Sequence, residues 1–147
     1  MPFDALEVAE QALLQKALIA TEEAYAPYSH FFVGCAVELA NGEVFLGNNQ
    51  ENRAYPSGLC AERTALYYIG AQGKGKDIAK IAIRARCENM PVLKPITPCG
   101  ACCQAMVEYE EEAKNDFVVL MMGETGEVLR IEGVRKNLLP FYFDAAF

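Results

Sequence analysis

Apolar residues along the chain first recur at helical spacing. Leu6, Ala9, Leu13, Ala17, Ala20 and Ala24 fall three or four residues apart, which predicts a helix capped by Asp4 and ended near Pro27. The pattern then tightens. Phe32, Val33, Cys35, Ala36, Val37 and Leu39 predict a largely buried strand, and Asn41-Gly42 is a hairpin turn signal. Glu43 to Gly47 returns as a second strand around Val44-Phe45-Leu46. A polar loop from Asn48 to Leu59 precedes a helix from Cys60 to Ala71, which Gly73 and Gly75 close. Ile78, Ile81 and Ile83 mark a third strand. Pro91, Pro95 and Pro98 break the next stretch before a helix over Cys99–Glu112. Phe117–Met122 and Val128–Ile131 read as strands around a turn at Glu124-Thr125-Gly126, and a last helical turn covers Asn137–Phe141. Helices interspersed among strands in this order predict an α/β fold of three layers, a mixed sheet flanked by helices. No repeat or linker divides the 147 residues, so a single domain over 1–147 is expected.

Charge narrows the partners. Against 13 Lys and Arg stand 20 Asp and Glu, a net charge of −7. A polyanion needs neutralising cations, so nucleic acid is not an expected partner. No apolar run approaches the ~20 residues that span a bilayer, so no membrane partner is expected. The first ten residues are acidic and carry no leader pattern, which predicts a cytoplasmic protein with its six cysteines reduced.

Two short segments carry the chemistry: Cys60-Ala61-Glu62 and Pro98-Cys99-Gly100-Ala101-Cys102. Each falls where a loop becomes a helix. Free amides and the partial positive charge of a helix start favour thiolate over thiol. Cys99 and Cys102 are three residues apart and share a helix face, and Cys60 offers a third soft ligand. Three thiolates on Zn²⁺ leave a tetrahedral position open. A fourth ligand would have to come from Cys103, His30, Cys35 or Cys87. Cys103 adjoins Cys102, and the others lie in unrelated segments. An open position bearing water, the arrangement of hydrolytic zinc, is the better reading. Glu62, two residues beyond Cys60, can point into the site as a proton carrier without ligating. A lone Cys-x-x-Cys also suits a redox pair or half of a structural zinc knot. Neither explains Cys-Ala-Glu at a second helix start.

With these motifs on the page, the chain resembles the small homotetrameric cytidine deaminases. The resemblance runs from Ala24 to Phe143. It is carried by Ala26-Pro27-Tyr28-Ser29-His30-Phe31, Gly47-Asn48-Asn49-Gln50-Glu51-Asn52, Tyr55-Pro56, Gly58 to Ala65, the Pro98 to Cys102 motif, and Leu138-Leu139-Pro140. It implies zinc on Cys60, Cys99 and Cys102, with Glu62 shuttling protons. The Ala61 amide would meet the pyrimidine carbonyl oxygen, and the Thr97 carbonyl would face the exocyclic amine. Asn49 and Glu51 would bind the ribose 3′-hydroxyl, Phe31 would pack on the base, and Phe143 would enter a neighbouring subunit's pocket. Arg63 would donate to ligand sulfurs and restore acidity that three thiolates take from zinc. The implied reaction is hydrolytic deamination of cytidine and deoxycytidine in pyrimidine salvage, by a homotetramer with shared active sites.

Three positions depart from the family pattern. Cys103 replaces an arginine and puts a spare thiol beside the metal, Arg53 replaces a small residue beside the ribose loop, and Cys35 replaces an alanine as a small buried hydrophobe. Rival readings are a deaminase of a blasticidin-type aminopyrimidine nucleoside, a non-catalytic zinc-stabilised module, and nucleic-acid editing. The pairing of Asn49, Glu51 and Phe31 favours a plain nucleoside, Glu62 has no use in a structural site, and the charge disfavours editing.

Overall fold

The computed structural model describes residues 1–145. Its centre is one five-stranded sheet in the order β2-β1-β3-β4-β5. The strands are β1 (Phe31–Leu39), β2 (Val44–Asn48), β3 (Ile78–Cys87), β4 (Val118–Met122) and β5 (Leu129–Glu132). The helices are α1 (Val8–Ala20), α2 (Ala61–Ala71), α3 (Gly100–Ala113) and α4 (Val134–Asn137). β3 and β4 run parallel, and the other neighbours are antiparallel. A parallel pair needs a crossover, and α3 lies in it. The sheet is mixed and flanked by helices, as the sequence pattern predicts.

Side-chain alternation along the strands separates two cores. Cys35, Val37, Ile81, Ile83, Val119 and Met121 face Leu66 and Ile69 of α2 and Met106 of α3. Ala36, Ala82 and Leu120 face the other way, onto Leu13, Leu14 and Ala17 of α1. The α1 side is lined with small residues because that helix crosses close. A Cβ on Gly34 would come within 1.9 Å of the Ala17 carbonyl oxygen. Gly47 does the same for α2. A Cβ there would stand 2.5 Å from the Ala61 carbonyl, so glycine in β2 lets the first turn of α2 settle on the sheet. The position of Cys60 and Glu62 therefore depends on the absence of a side chain at residue 47.

The first and last predicted helices are displaced. Asp4 does not cap α1. It lies in a separate 3-10 turn over Phe3–Ala5, Leu6 packs beyond that turn, and Glu7 holds the cap position. Ala24 follows a further 3-10 turn, Thr21–Glu23, and is not helical. Ala9 is exposed, whereas Glu10 is buried. Hydrophobicity alone could not find this, because Glu10 is buried by pairing. Its carboxylate meets Arg130 at 3.2 Å and Lys80 at 3.5 Å. At the other end the helical turn is Val134–Asn137 rather than 137–141. Glu110 of α3 decides the start. It is fully buried, and its carboxylate accepts from the Val134 amide at 2.9 Å and the Arg135 amide at 3.0 Å. Phe147, which belongs to the apolar C-terminal stretch of the sequence, lies outside the described residues.

Candidate active site

Cys60 and Cys99 occupy the positions just before α2 and α3, and Cys102 lies in the first turn of α3. All three sulfurs lie within 4.8 Å of one another, with Cys60 and Cys99 4.0 Å apart. Thiolates arranged tetrahedrally around zinc at ~2.3 Å stand roughly 3.8 Å apart, so the group fits the ion. The other candidate ligands are engaged elsewhere. Cys103 turns from the cluster into the core, with its sulfur 3.8 Å from the Pro98 carbonyl. Cys35 is fully buried in β1, within the core under α2 and α3. Cys87 ends β3, and His30 pairs with Glu88 at 3.1 Å. Among the described residues no fourth sulfur or imidazole joins the group.

The cluster is electrostatically asymmetric. Hydrogen bonding from the Cys102 thiol, joined by Arg63 and opposed by burial, lowers the Cys60 thiol to about 5. The same contact with Cys60, together with burial, pushes Cys102 up. Arg63 places Nη2 3.5 Å from the Cys60 sulfur, one helical turn along α2. Glu62 is only 5% exposed, and desolvation holds its carboxyl above the ordinary range, reinforced by the negative Cys60. Burial pushes the Cys103 thiol up to about 11, which keeps it a neutral core group rather than a spare thiolate.

A cavity of about 440 Å³ opens onto these groups. It brings together Phe31, Asn49, Glu51, Ala61, Glu62 and Thr97 with Cys60 and Cys99, residues from four separate stretches of chain. A second cavity of about 340 Å³ shares Asn49, Glu51 and Cys60 and adds Arg63, Tyr28 and Tyr55. Phe143 does not line either one. The residue is 73% exposed on the flank of α3, beside Gln104. Arg53 is exposed too, and its side chain makes no hydrogen bond or ion pair with the described residues.

The polar loop is not a freely solvated turn. Gln50 bridges to both Tyr25 and Leu59, and the Asn48 side chain donates to the Ala20 carbonyl. Asn49 accepts from the Val33 amide at 2.8 Å and donates to the Phe31 carbonyl at 2.9 Å. One of its two N–H bonds stays free for a ligand. Glu51 accepts from the Tyr28 and Ser29 amides with one oxygen, both at 3.1 Å, and keeps the other open. Burial acts to raise the Glu51 carboxyl, but the Ser29 and Tyr28 hydrogen bonds outweigh it and hold it below the usual range.

Two residues behind the site have no sequence signal. The Glu124 carboxylate accepts from the amides of Cys87 and Val92, 3.2 and 3.1 Å away. Arg84, buried in β3, donates to the carbonyls of Gly123 and Glu124 at 2.8 and 2.7 Å. Together they fix the start of the loop that delivers Thr97 and Cys99. In the sequence Glu124 is one member of a turn, and nothing in its spacing ties it to residue 92.

The family model described as the cytidine and deoxycytidylate deaminase zinc-binding region matches residues 8–120, which include all three clustered cysteines and Glu62. The chain belongs to this deaminase family. A cytidine deaminase of Halalkalibacterium halodurans is 37% identical over 135 residues, covering 92% of this chain and 94% of that protein. A crystal structure of the cytidine deaminase from Burkholderia pseudomallei superposes with a TM-score of 0.77 at 40% identity, covering 90% of this chain and 97% of the other. That of Mycobacterium tuberculosis gives 0.68 at 29% identity, covering 95% and 100%. The match to the family model stops before α4, whereas these whole-chain relatives span most of the molecule.

Proposed function

We propose that this protein is a zinc-dependent deaminase that converts cytidine and deoxycytidine to uridine and deoxyuridine with release of ammonia. One observation carries the reading: the buried Glu62 carboxyl shares a cavity with sulfurs spaced for one zinc ion. A structural zinc knot has no use for that carboxyl. Cys60, Cys99 and Cys102 hold the metal, and Arg63 draws charge from the Cys60 sulfur. When bound, zinc supplies the Lewis acidity that makes water nucleophilic near neutral pH.

The protein's own groups do the rest. Glu62 takes one proton from the attacking water and passes it to N3, then takes the proton of the new C4 hydroxyl and passes it to the departing amine, work for which its raised proton affinity suits it. The Ala61 amide, free at the first turn of α2, donates to the pyrimidine carbonyl oxygen. The Thr97 carbonyl accepts from the exocyclic amine. Phe31 packs on the base. The free N–H of Asn49 and the open oxygen of Glu51 take the ribose 3′-hydroxyl, so a ligand without the sugar leaves both unpaired.

Phe143 closes the pocket of a neighbouring copy in a homotetramer, and each active site is shared. A largely exposed aromatic residue with its main chain hydrogen-bonded, and not lining its own cavity, supports that reading. Residues 1–147 act as one domain, working in the cytoplasm in pyrimidine salvage. Among the described residues no helix is long and apolar enough to cross a membrane. The test is an ultraviolet assay of cytidine loss by the purified, zinc-loaded protein, with uridine identified chromatographically. Unchanged cytidine would overturn the reading.

A further inference from the structure

We infer that Gln104 is a positioning residue for the reaction: its side-chain amide clamps the C-terminal tail to the metal-bearing helix and aims the Phe143 ring outward. This rests on the reading of Phe143 as the ring that closes a substrate pocket. The clamp itself rests on geometry. The Gln104 Nε2 donates to the Phe143 carbonyl at 2.9 Å, and the Phe143 amide donates to the Gln104 Oε1 at 2.8 Å. One planar amide thus satisfies both main-chain groups of one residue, as a neighbouring strand would.

The pairing is specific to that residue. Phe143 has its main chain held twice while the residue as a whole is 73% exposed. A largely exposed residue adds little apolar burial to the fold, yet a glutamine side chain is ordered at an entropic cost to hold its backbone. That is the arrangement of a segment that presents a side chain to something outside its own fold.

The tail is also tied at two earlier points on α3. Glu110 caps the start of α4, and Glu111 accepts from the Tyr142 hydroxyl at 3.1 Å. From α4 the tail therefore runs back along α3 toward its N-terminus, and Gln104 is the last tie before the cysteines. It stands two residues beyond Cys102. One helix thus sets both the metal cluster and the register of the ring, so the two are built to a common frame. A helix interior carries such a relationship with little slack, because its residues are fixed by hydrogen bonds every turn.

The test is a cycle of Gln104→Ala, Phe143→Ala and the double variant, each measured for kcat and KM with cytidine, zinc content and hydrogen exchange over residues 138–145. Gln104→Ala should keep its zinc and its kcat, raise KM roughly ten-fold, and speed exchange in the tail. The double variant should be no worse than Phe143→Ala, since Gln104 acts through that ring. Effects that multiply, or a Gln104→Ala KM within about two-fold of the parent, would overturn the inference. Tail exchange unchanged by Gln104→Ala would overturn the clamp while leaving the deaminase reading intact. Absence of turnover in the unaltered protein would overturn that reading, and the role of the ring with it.

Discussion

The sulfurs of Cys60 and Cys99 stand 4.0 Å apart although 39 residues separate them in the chain. Neither lies inside a helix. Each occupies the cap position, where the backbone is still extended and the first turn of free amides begins just beyond. The sheet brings the two caps together: β2 receives the start of α2 at Gly47, and the loop after β3 is fixed by Glu124. A soft-metal site therefore arises where two helix starts converge, with Cys102 completing it from within α3.

Metal content should follow this geometry. Purified protein is expected to carry about one zinc per chain. Cys99→Ala should lose most of the zinc and unfold at lower temperature, because ligation is coupled to folding. Elemental analysis and thermal melting read both, and full zinc retention in that variant would contradict the assignment.

Glu62→Gln should fold and keep zinc, since Glu62 is not among the clustered ligands. Its kcat should fall by at least ~10²–10⁴-fold, the usual worth of a positioned acid–base group. Steady-state kinetics with cytidine measures the loss, and turnover near the parent value would sink the proton-carrier role.

Much of this was legible in the sequence. The apolar runs at 32–39, 78–83 and 117–122 predict three of the sheet's strands, and Cys-Ala-Glu with Pro-Cys-Gly-Ala-Cys marks the site. The ends were less legible. Glu10 and Glu110 are buried carboxylates, so the polar side of a helical wheel misplaces them. Glu10 is held by Arg130, 120 residues on, and Glu110 by Val134, 24 residues on, ties that no local pattern reveals. Asn49 and Glu51 are legible as sugar ligands through the family resemblance, but their ties to Val33, Phe31, Tyr28 and Ser29 are not.

Those ties change what substitution there should do. Glu51→Ala and Asn49→Ala should both weaken nucleoside use far more than binding of free cytosine. Asn49→Ala should in addition cost about 1–3 kcal/mol of stability, because it leaves the part-buried Val33 amide and Phe31 carbonyl unpaired. Denaturant titration beside kinetics separates the two effects. Equal loss for nucleoside and base would make the loop purely structural.

Glu51 also bears on acid stability. Its carboxyl is held below the ordinary value in the folded protein, so its contribution is present above the unfolded value and is lost as pH falls through the folded one. Glu51→Gln should therefore be less stable than the parent near neutral pH, converge with it in acid, and so show a flatter decline below about pH 4.5. Melting curves taken across that range check the sign. A steeper acid decline in the variant would contradict it.

Glu110→Gln tests the base of the tail. The amide replaces an acceptor that takes four donors, from Phe117, Val134 and twice from Arg135. It should destabilise the protein by about 1–3 kcal/mol, the cost of leaving buried main-chain donors unpaired, since Arg135 itself reaches solvent. Equilibrium unfolding gives the number, and a cost under about 1 kcal/mol would show that α4 is held by packing alone.

The most direct measurement is a zinc titration of the metal-stripped protein with cytidine present and uridine counted. Turnover should rise in proportion to added zinc and level off at about one ion per chain. Zinc taken up to that ratio with no uridine formed would contradict the account.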